Sequence, residues 1–355
     1  MDQGFPNPAT SMAKSFDGRL LPRDQGGSIT LTEGTGGLLA MCPCGDFLEI
    51  YKEDTTFRLQ TPEGVDPNRT NPDAPTVAMV ADRIGCANPI VARVLLQARE
   101  ILERALFEKP VDKDAVVQIL HSIKESLVAC YKAAASVGRS VDDIVTRAEN
   151  AGIPIDAARR VIPSLPQVPD LDEEVTRFLV AAKRAIKAIC SLAPQFIELD
   201  GEDSNLDHLA ARVERCVEEG APLKEFLQAY ADVSKYLIEL RNCQEHPKKT
   251  RRTHVNNFRV LPHGQIAAPM WYVTGETPQP IRAEMDAAID RLVEMAEGML
   301  IHLVMERIGE RIPLVIRELP PAEIDRRKPI KYELTLLLAD MQFATPPNDP
   351  EPLAE

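Results

Sequence analysis

Five apolar residues, Phe226, Tyr230, Val233, Leu237 and Leu240, follow one another at steps of four, three, four and three. That spacing lays one continuous stripe along a helix of 3.6 residues per turn, and such a stripe must be buried against other apolar surface. The same periodicity recurs along the chain. Ile90, Val94, Leu95, Ala98, Ile101, Leu102 and Ala105 share a face behind an Asn88-Pro89 start, predicting a helix to about Phe107. Val116, Ile119, Leu120, Ile123, Leu127 and Tyr131 predict a second helix, and Val141 to about Asn150 a short third. Val175, Phe178, Leu179, Ala182, Ile186 and Ile189 predict another from Glu174 to about Leu192. Further helices are expected over Ser204 to about Glu219, Pro222 to about Leu240, and Pro280 to Gly309. The expected fold class is therefore mainly α, a helical bundle. Aromatics make up only 5% of the 355 residues while prolines number 29, which suits aliphatic helices separated by proline-marked joints.

Two departures from the helical pattern are expected. Between Ser28 and about Gln60 the segments SITLT, LLAM, DFLEIYK and TTFRLQ have strand character, with Glu53 and Asp54 placed for a hairpin turn. A second hairpin is expected as an insertion near residues 255–275, where FRVL and IAAPMWYV flank Pro262, His263 and Gly264. Residues 61–76 read as a connector rich in Pro, Asn and Asp, and VIPSLPQVPD, residues 161–170, as the clearest internal boundary. The expected organisation is a flexible N-terminus over 1–27, a β element with helices over 28–165, a bundle over 171–310, and a C-terminal extension over 311–355 whose acidic tail is disordered.

The formal net charge of −13 repels nucleic acid at long range, so any site for it must be local. The chain has no run of about 18 apolar residues, and its N-terminus lacks the apolar stretch of a secretory signal. A cytoplasmic protein without membrane contact is expected. Cys130, Cys190 and Cys216 stand singly in helical patterns and read as small hydrophobes in a reducing compartment. Cys42-Pro43-Cys44 reads as a turn before a strand, since no second Cys pair or Cys/His pair stands at zinc-site spacing. No metal and no cofactor are expected. The motifs of Walker-type NTPases, Rossmann dehydrogenases, HExxH zincins and GxSxG hydrolases do not occur.

The residues that carry chemistry gather where the Phe226–Leu240 stripe ends. Arg241, Asn242 and His246 stand within six positions of one another, so on a backbone that stays helical the Arg and the His can meet one phosphate. Imidazole ionises close to neutrality and can take a proton from a ribose 2′-hydroxyl or give one to a leaving oxygen. Guanidinium can hold the phosphate bidentately as charge develops on it. Asn242 can hydrogen-bond the phosphate or fix the ring's tautomer. Lys248, Lys249, Arg251, Arg252, His254 and Arg259 follow, with Glu245 the only acid in the stretch, and form a landing site for a phosphodiester. Phe258, Trp271 and Tyr272 lie downstream, placed either to stack on unpaired bases or to serve as core of the hairpin.

The run Arg241-Asn242-Cys243-Gln244-Glu245-His246, set between a core helix and another long helix, resembles the Arg, four to six residues, His motif of the HEPN superfamily. The resemblance covers roughly residues 171–310. It implies a helical bundle, catalytic roles for Arg241 and His246 with Asn242 assisting, and metal-independent RNA cleavage in a toxin–antitoxin or anti-phage defence setting. It also implies a homodimer in which two motifs form one composite site, and a regulatory protein partner is expected for such an enzyme. The residues alone leave a second reading open: a non-enzymatic helical interaction protein that binds protein partners or nucleic acid through the same basic stretch.

Overall fold

A strand needs partners as much as it needs a pattern, and several short segments of this chain find them. A computed structural model describes residues 22–24, 29–45, 47–151, 161–162, 164–199, 205–216, 221–262, 265–309 and 313–337. The expectations for residues 1–21, the acidic tail, and His263 and Gly264 fall outside them. The chain forms two compact units, Met1–Asn88 and Pro89–Glu355.

The first unit is built on a four-stranded antiparallel sheet of strands β1 (Ala40–Cys44), β2 (Phe47–Tyr51), β3 (Thr56–Gln60) and β4 (Val77–Asp82), in the order β1-β2-β3-β4. A short helix α1 (Pro62–Val65) precedes β4, started by Thr61, whose hydroxyl accepts from the Gly64 N–H. Gly45, at φ 64°, lies in the β1–β2 connection, where a left-handed residue turns the chain without a Cβ clash. Lys52 N–H donates to Thr55 O at 2.9 Å and closes the β2–β3 hairpin around Glu53 and Asp54. Residues 29–32, within the expected SITLT strand, are irregular, whereas β4 follows the connector and pairs with β3 at the sheet edge. Its burial does not alternate, so period-two reading could not find it. Gly85 packs against this hairpin so closely that a Cβ there would lie 2.3 Å from Lys52 O and 2.5 Å from Thr55 N. Backbone cannot yield as a side chain does. Gly85→Ala is expected to destabilise this unit by about 1–3 kcal/mol, the usual cost of overpacking, read as faster amide exchange across β2 and β3.

The second unit opens with a π-helical segment, Ile90–Gln97, that runs into α2 (Ala98–Arg104). Then come α3 (Lys113–Ala151), α4 (Leu171–Cys190), α5 (Ala193–Phe196), α6 (Leu206–Val213) and α7 (Pro222–Glu245). Strands β5 (Thr253–Asn256), β6 (Arg259–Val260), β7 (Ile266–Ala267), β8 (Met270–Val273) and β9 (Gln279–Pro280) lead to α8 (Ile281–Met305), and β10 (Leu314–Glu318) with β11 (Tyr332–Leu336) ends the described chain. Helix α3 packs on α4 and α8, and α7 packs on α4, α6 and α8. Leu120, Ile123 and Leu127 of α3, Phe178, Leu179 and Ile186 of α4, Leu237 and Leu240 of α7, and Leu292, Met295 and Met299 of α8 fill the core between them. Buried polar groups also tie elements together: Arg93 and Gln97 hydrogen-bond Glu297 of α8 at 3.1 and 2.7 Å, and Gln97 accepts from the Tyr332 N–H of β11 at 2.8 Å.

Two expectations are corrected. Helix occupies about 49% and strand about 18%, in four small sheets, so the fold is mixed α/β and not mainly α. The β5-β8-β9 sheet, the β6-β7 pair and the β10-β11 hairpin account for much of the difference in this unit, and their strands are two to five residues long. Such segments are held by pairing and by neighbouring helices rather than by a pattern of their own. The second correction joins two expected helices into α3, which runs 39 residues. Ala133, Ala134, Val137, Val141 and Ile144 are buried and carry the stripe onward, and a lone Gly138 costs about 1 kcal/mol, too little to end it.

Residues 161–170, read from the sequence as an internal boundary, belong to the second unit. Asn257 donates from Nδ2 to Val168 O at 2.8 Å and accepts the Val168 N–H at 2.9 Å, while Gln167 donates to Phe258 O at 3.0 Å. Both backbone groups of Val168 are thus satisfied by the segment that follows β5.

Candidate functional site

The end of α7 is fixed from three sides. Leu237 and Leu240 bury its apolar face, Gln244 donates to the Thr176 hydroxyl of α4 at 2.8 Å, and the Thr253 hydroxyl of β5 donates to Leu240 O at 2.7 Å. The helical hydrogen bond from His246 N–H to Asn242 O, 2.9 Å, persists to the last position. Pro247 then stops the helix, because the residue before a proline is driven out of the α region, and His246 stands at φ −127° and ψ 62°. Helical backbone therefore joins Arg241 to His246.

Both residues line one open cleft of about 620 Å³, together with Asn242, Cys243, Lys235 and Glu239 of α7, Lys183 of α4, Asn205 and Asp207 at the start of α6, and Lys248 and Arg251 beyond the helix. The cleft presents five cations, Lys183, Lys235, Arg241, Lys248 and Arg251, against two carboxylates, Asp207 and Glu239. Their state differs. Arg251 is paired with Glu239 and Glu276, and the Glu239 hydrogen bond raises its pKa further above the usual arginine value. Arg241 is paired with Glu245, one helical turn on, and donates to Asn242 Oδ1 at 3.2 Å. Its Nε is buried without a hydrogen-bond partner. Lys183 donates to Asn242 Oδ1 at 3.3 Å. Among the described residues no carboxylate pairs with Lys183, Lys235 or the Lys248 side chain. His246 is open to solvent, its side chain 75% exposed, with Nε2 4.0 Å from Glu245 Oε2.

The remaining residues of the expected basic stretch are distributed differently. Lys248 and Arg251 exchange backbone hydrogen bonds of 3.0 and 3.2 Å, forming a tight turn that leaves Lys249 exposed, with Arg252 exposed just beyond. His254 lies on β5, stacked on Tyr272 with ring centroids 4.7 Å apart and within 3.1 Å of the Thr274 hydroxyl, and it does not line the cleft. Arg259 sits on the separate β6-β7 pair. Phe258 and Trp271 are core residues, 6% and 0% exposed, which answers the stacking alternative for these two. Cys42 and Cys44 are not a turn: both belong to β1 and are buried. Near them the Tyr51 hydroxyl donates to Glu49, and burial, with that carboxylate, drives its pKa far upward.

Lys183 and Lys235 are the cleft residues that the motif did not reveal. Lys235 was within reach, since Lys235, Asn242 and His246 stand at i, i+7 and i+11, one face of a helix. Lys183 comes from α4, and only the packing of α4 on α7 brings it to Asn242. Chemically, the cleft offers ammonium groups for a phosphate, a guanidinium, and one imidazole, a group that can take or give a proton. Compared with known proteins, this chain matches no protein-family model, no curated protein and no solved structure.

Proposed function

We propose that this chain is a metal-independent endoribonuclease of HEPN type. The observation that supports it best is the convergence of Arg241, Asn242 and His246 on one solvent-open cleft whose lysines have no carboxylate partner among the described residues. In a chain of net charge −13, lysines without a carboxylate partner in a concave site are where a phosphodiester gains most, since each phosphate they neutralise releases its own condensed counterion. Lys183, Lys235 and Lys248 draw the RNA strand in, and Arg241 holds the scissile phosphate.

His246 accepts the proton of the ribose 2′-hydroxyl as the 2′-oxygen bonds to phosphorus. The bond from phosphorus to the 5′-oxygen breaks, and that oxygen takes a proton from water. The products are a 2′,3′-cyclic phosphate and a 5′-hydroxyl. Arg241 and the lysines stabilise the charge on the phosphoryl oxygens in passing. No helix among the described residues is long and apolar enough to cross a membrane, so nothing here conflicts with a substrate met in water.

The test is incubation of the purified chain with mixed RNA in EDTA, followed by end mapping. Cleavage that leaves cyclic phosphates supports the reading, and RNA left intact at high protein concentration sinks it. Lys183→Ala provides a second check on the cleft. Loss of one phosphate contact is expected to lower the slope of log affinity against log salt by about 0.7 for single-stranded RNA, measured by fluorescence anisotropy on an oligonucleotide.

A further inference from the structure

One carboxylate oxygen stands between the two residues on which the proposed reaction depends. Glu245 Oε2 forms the ion pair with Arg241 and lies 4.0 Å from His246 Nε2. The arrangement follows from sequence spacing. Glu245 is one turn beyond Arg241, where oppositely charged side chains on a helix meet, and directly precedes the residue at which Pro247 turns the chain. Among the described residues Glu245 is thus the anion nearest both groups, and it cannot fully serve both at once.

We propose that Glu245 exchanges partners when RNA binds, releasing Arg241 to the phosphate and taking up His246. This rests on the ribonuclease reading of the cleft. In the resting chain the carboxylate holds the Nη2 arm of the guanidinium, which a phosphodiester needs, so substrate competes with it. The pair is partly exposed, its side chains 21% and 29% accessible, and a pair of that kind is easily displaced. Once displaced, the carboxylate accepts from Nε2–H of His246. That contact fixes the tautomer that leaves Nδ1 with its lone pair, so Nδ1 takes the 2′-proton, and the imidazolium formed is stabilised by the adjacent charge. Proton and charge balance: the ring gains one proton at Nδ1, Glu245 stays ionised throughout, and no further reactant is required. Glu245 is a positioning residue in this scheme, acting through Arg241 and His246 without touching substrate.

The consequence is an opposed effect on binding and turnover. Glu245→Gln keeps the volume but releases Arg241 and leaves the imidazolium without its counter-charge. Affinity for an oligonucleotide with deoxyribose at the cut site, which cannot be cleaved, is expected to rise about threefold. The single-turnover cleavage rate on the matching RNA is expected to fall about tenfold or more. In an Arg241→Ala background the same substitution is expected to leave affinity unchanged, because nothing remains for Glu245 to release.

A thermal melt of Glu245→Gln within a degree or two of the wild type shows that the fold is kept. Unchanged or weaker binding, unchanged turnover, or an affinity gain that survives Arg241→Ala overturns the exchange while the ribonuclease reading stands. Wild type that does not cleave at all overturns the ribonuclease reading and the second half of the exchange with it. In that case tighter binding by Glu245→Gln, abolished by Arg241→Ala, still supports the competition for Arg241.

Discussion

Incubated with RNA in EDTA, a His246→Ala variant is expected to cleave about 10²- to 10⁴-fold more slowly than the wild type, the range that a positioned acid–base group contributes. The structure makes this a clean measurement. The His246 side chain is 75% exposed, with its Nε2 4.0 Å from Glu245 Oε2. Its removal opens no cavity, and the backbone bond to Asn242 that ends the helix does not involve the ring. A large rate loss with an unchanged melting temperature therefore reports on chemistry. The lysines remain, so oligonucleotide affinity is expected to change by less than about threefold, because most of the phosphate attraction comes from them. If the variant cleaves as fast as the wild type, the imidazole is not the base. If neither protein cleaves, the cleft is a binding surface, and the interaction-protein reading takes over.

How much of this was legible in the sequence depends on the range of the forces involved. The stripes of α4 and α8 were readable because apolar periodicity is a local property and burial rewards it directly. In α7 the expected stripe holds at Leu237 and Leu240, but Phe226, Tyr230 and Val233 are only half-buried and Leu223 and Leu227 complete the buried face. Helix α3 was read as two because residues 132–140 are small and polar, and only the buried Val137, Val141 and Ile144 show that the stripe continues. Strands β6, β7 and β9 have two residues each, too few for any period, and exist through the partners that pairing gives them.

The site divides in the same way. Arg241, Asn242 and His246 share a helix, so their meeting in one cleft was predictable from spacing. Counting charges along the chain was less reliable. It grouped His254 and Arg259 with the site, although the strand register sends them elsewhere, and it counted Arg251 in the basic stretch, where Glu239 and Glu276 pair with it. It also missed Lys183, because a contact between residues 59 positions apart is made by tertiary packing alone.

Trp271→Ala is expected to lower stability by about 3–5 kcal/mol, the cost of emptying a large aromatic site in a core. Trp271 is the only tryptophan of the chain, is 0% exposed, and lies with its ring centroid 6.0 Å from that of Phe178, itself fully buried on α4. On β8 it is paired with Val255 of β5 and Gln279 of β9, so it pins the three-stranded sheet to the helices. At about 2–4 °C per kcal/mol for a unit of this size, the melting temperature should fall by about 6–20 °C, measured by calorimetry. Trp271→Phe keeps much of the ring volume and is expected to recover more than half of the loss.

The cleft should respond indirectly. Strand β5 follows the Lys248–Arg251 turn and, through the Thr253 hydroxyl, holds the last turn of α7, so a loosened sheet leaves the cationic cleft less well formed. RNA affinity then falls together with stability and returns with it in Trp271→Phe. A stacking role predicts the opposite pattern, with affinity lost at an unchanged melting temperature. That outcome would place the indole against nucleic-acid bases and contradict its position in the core.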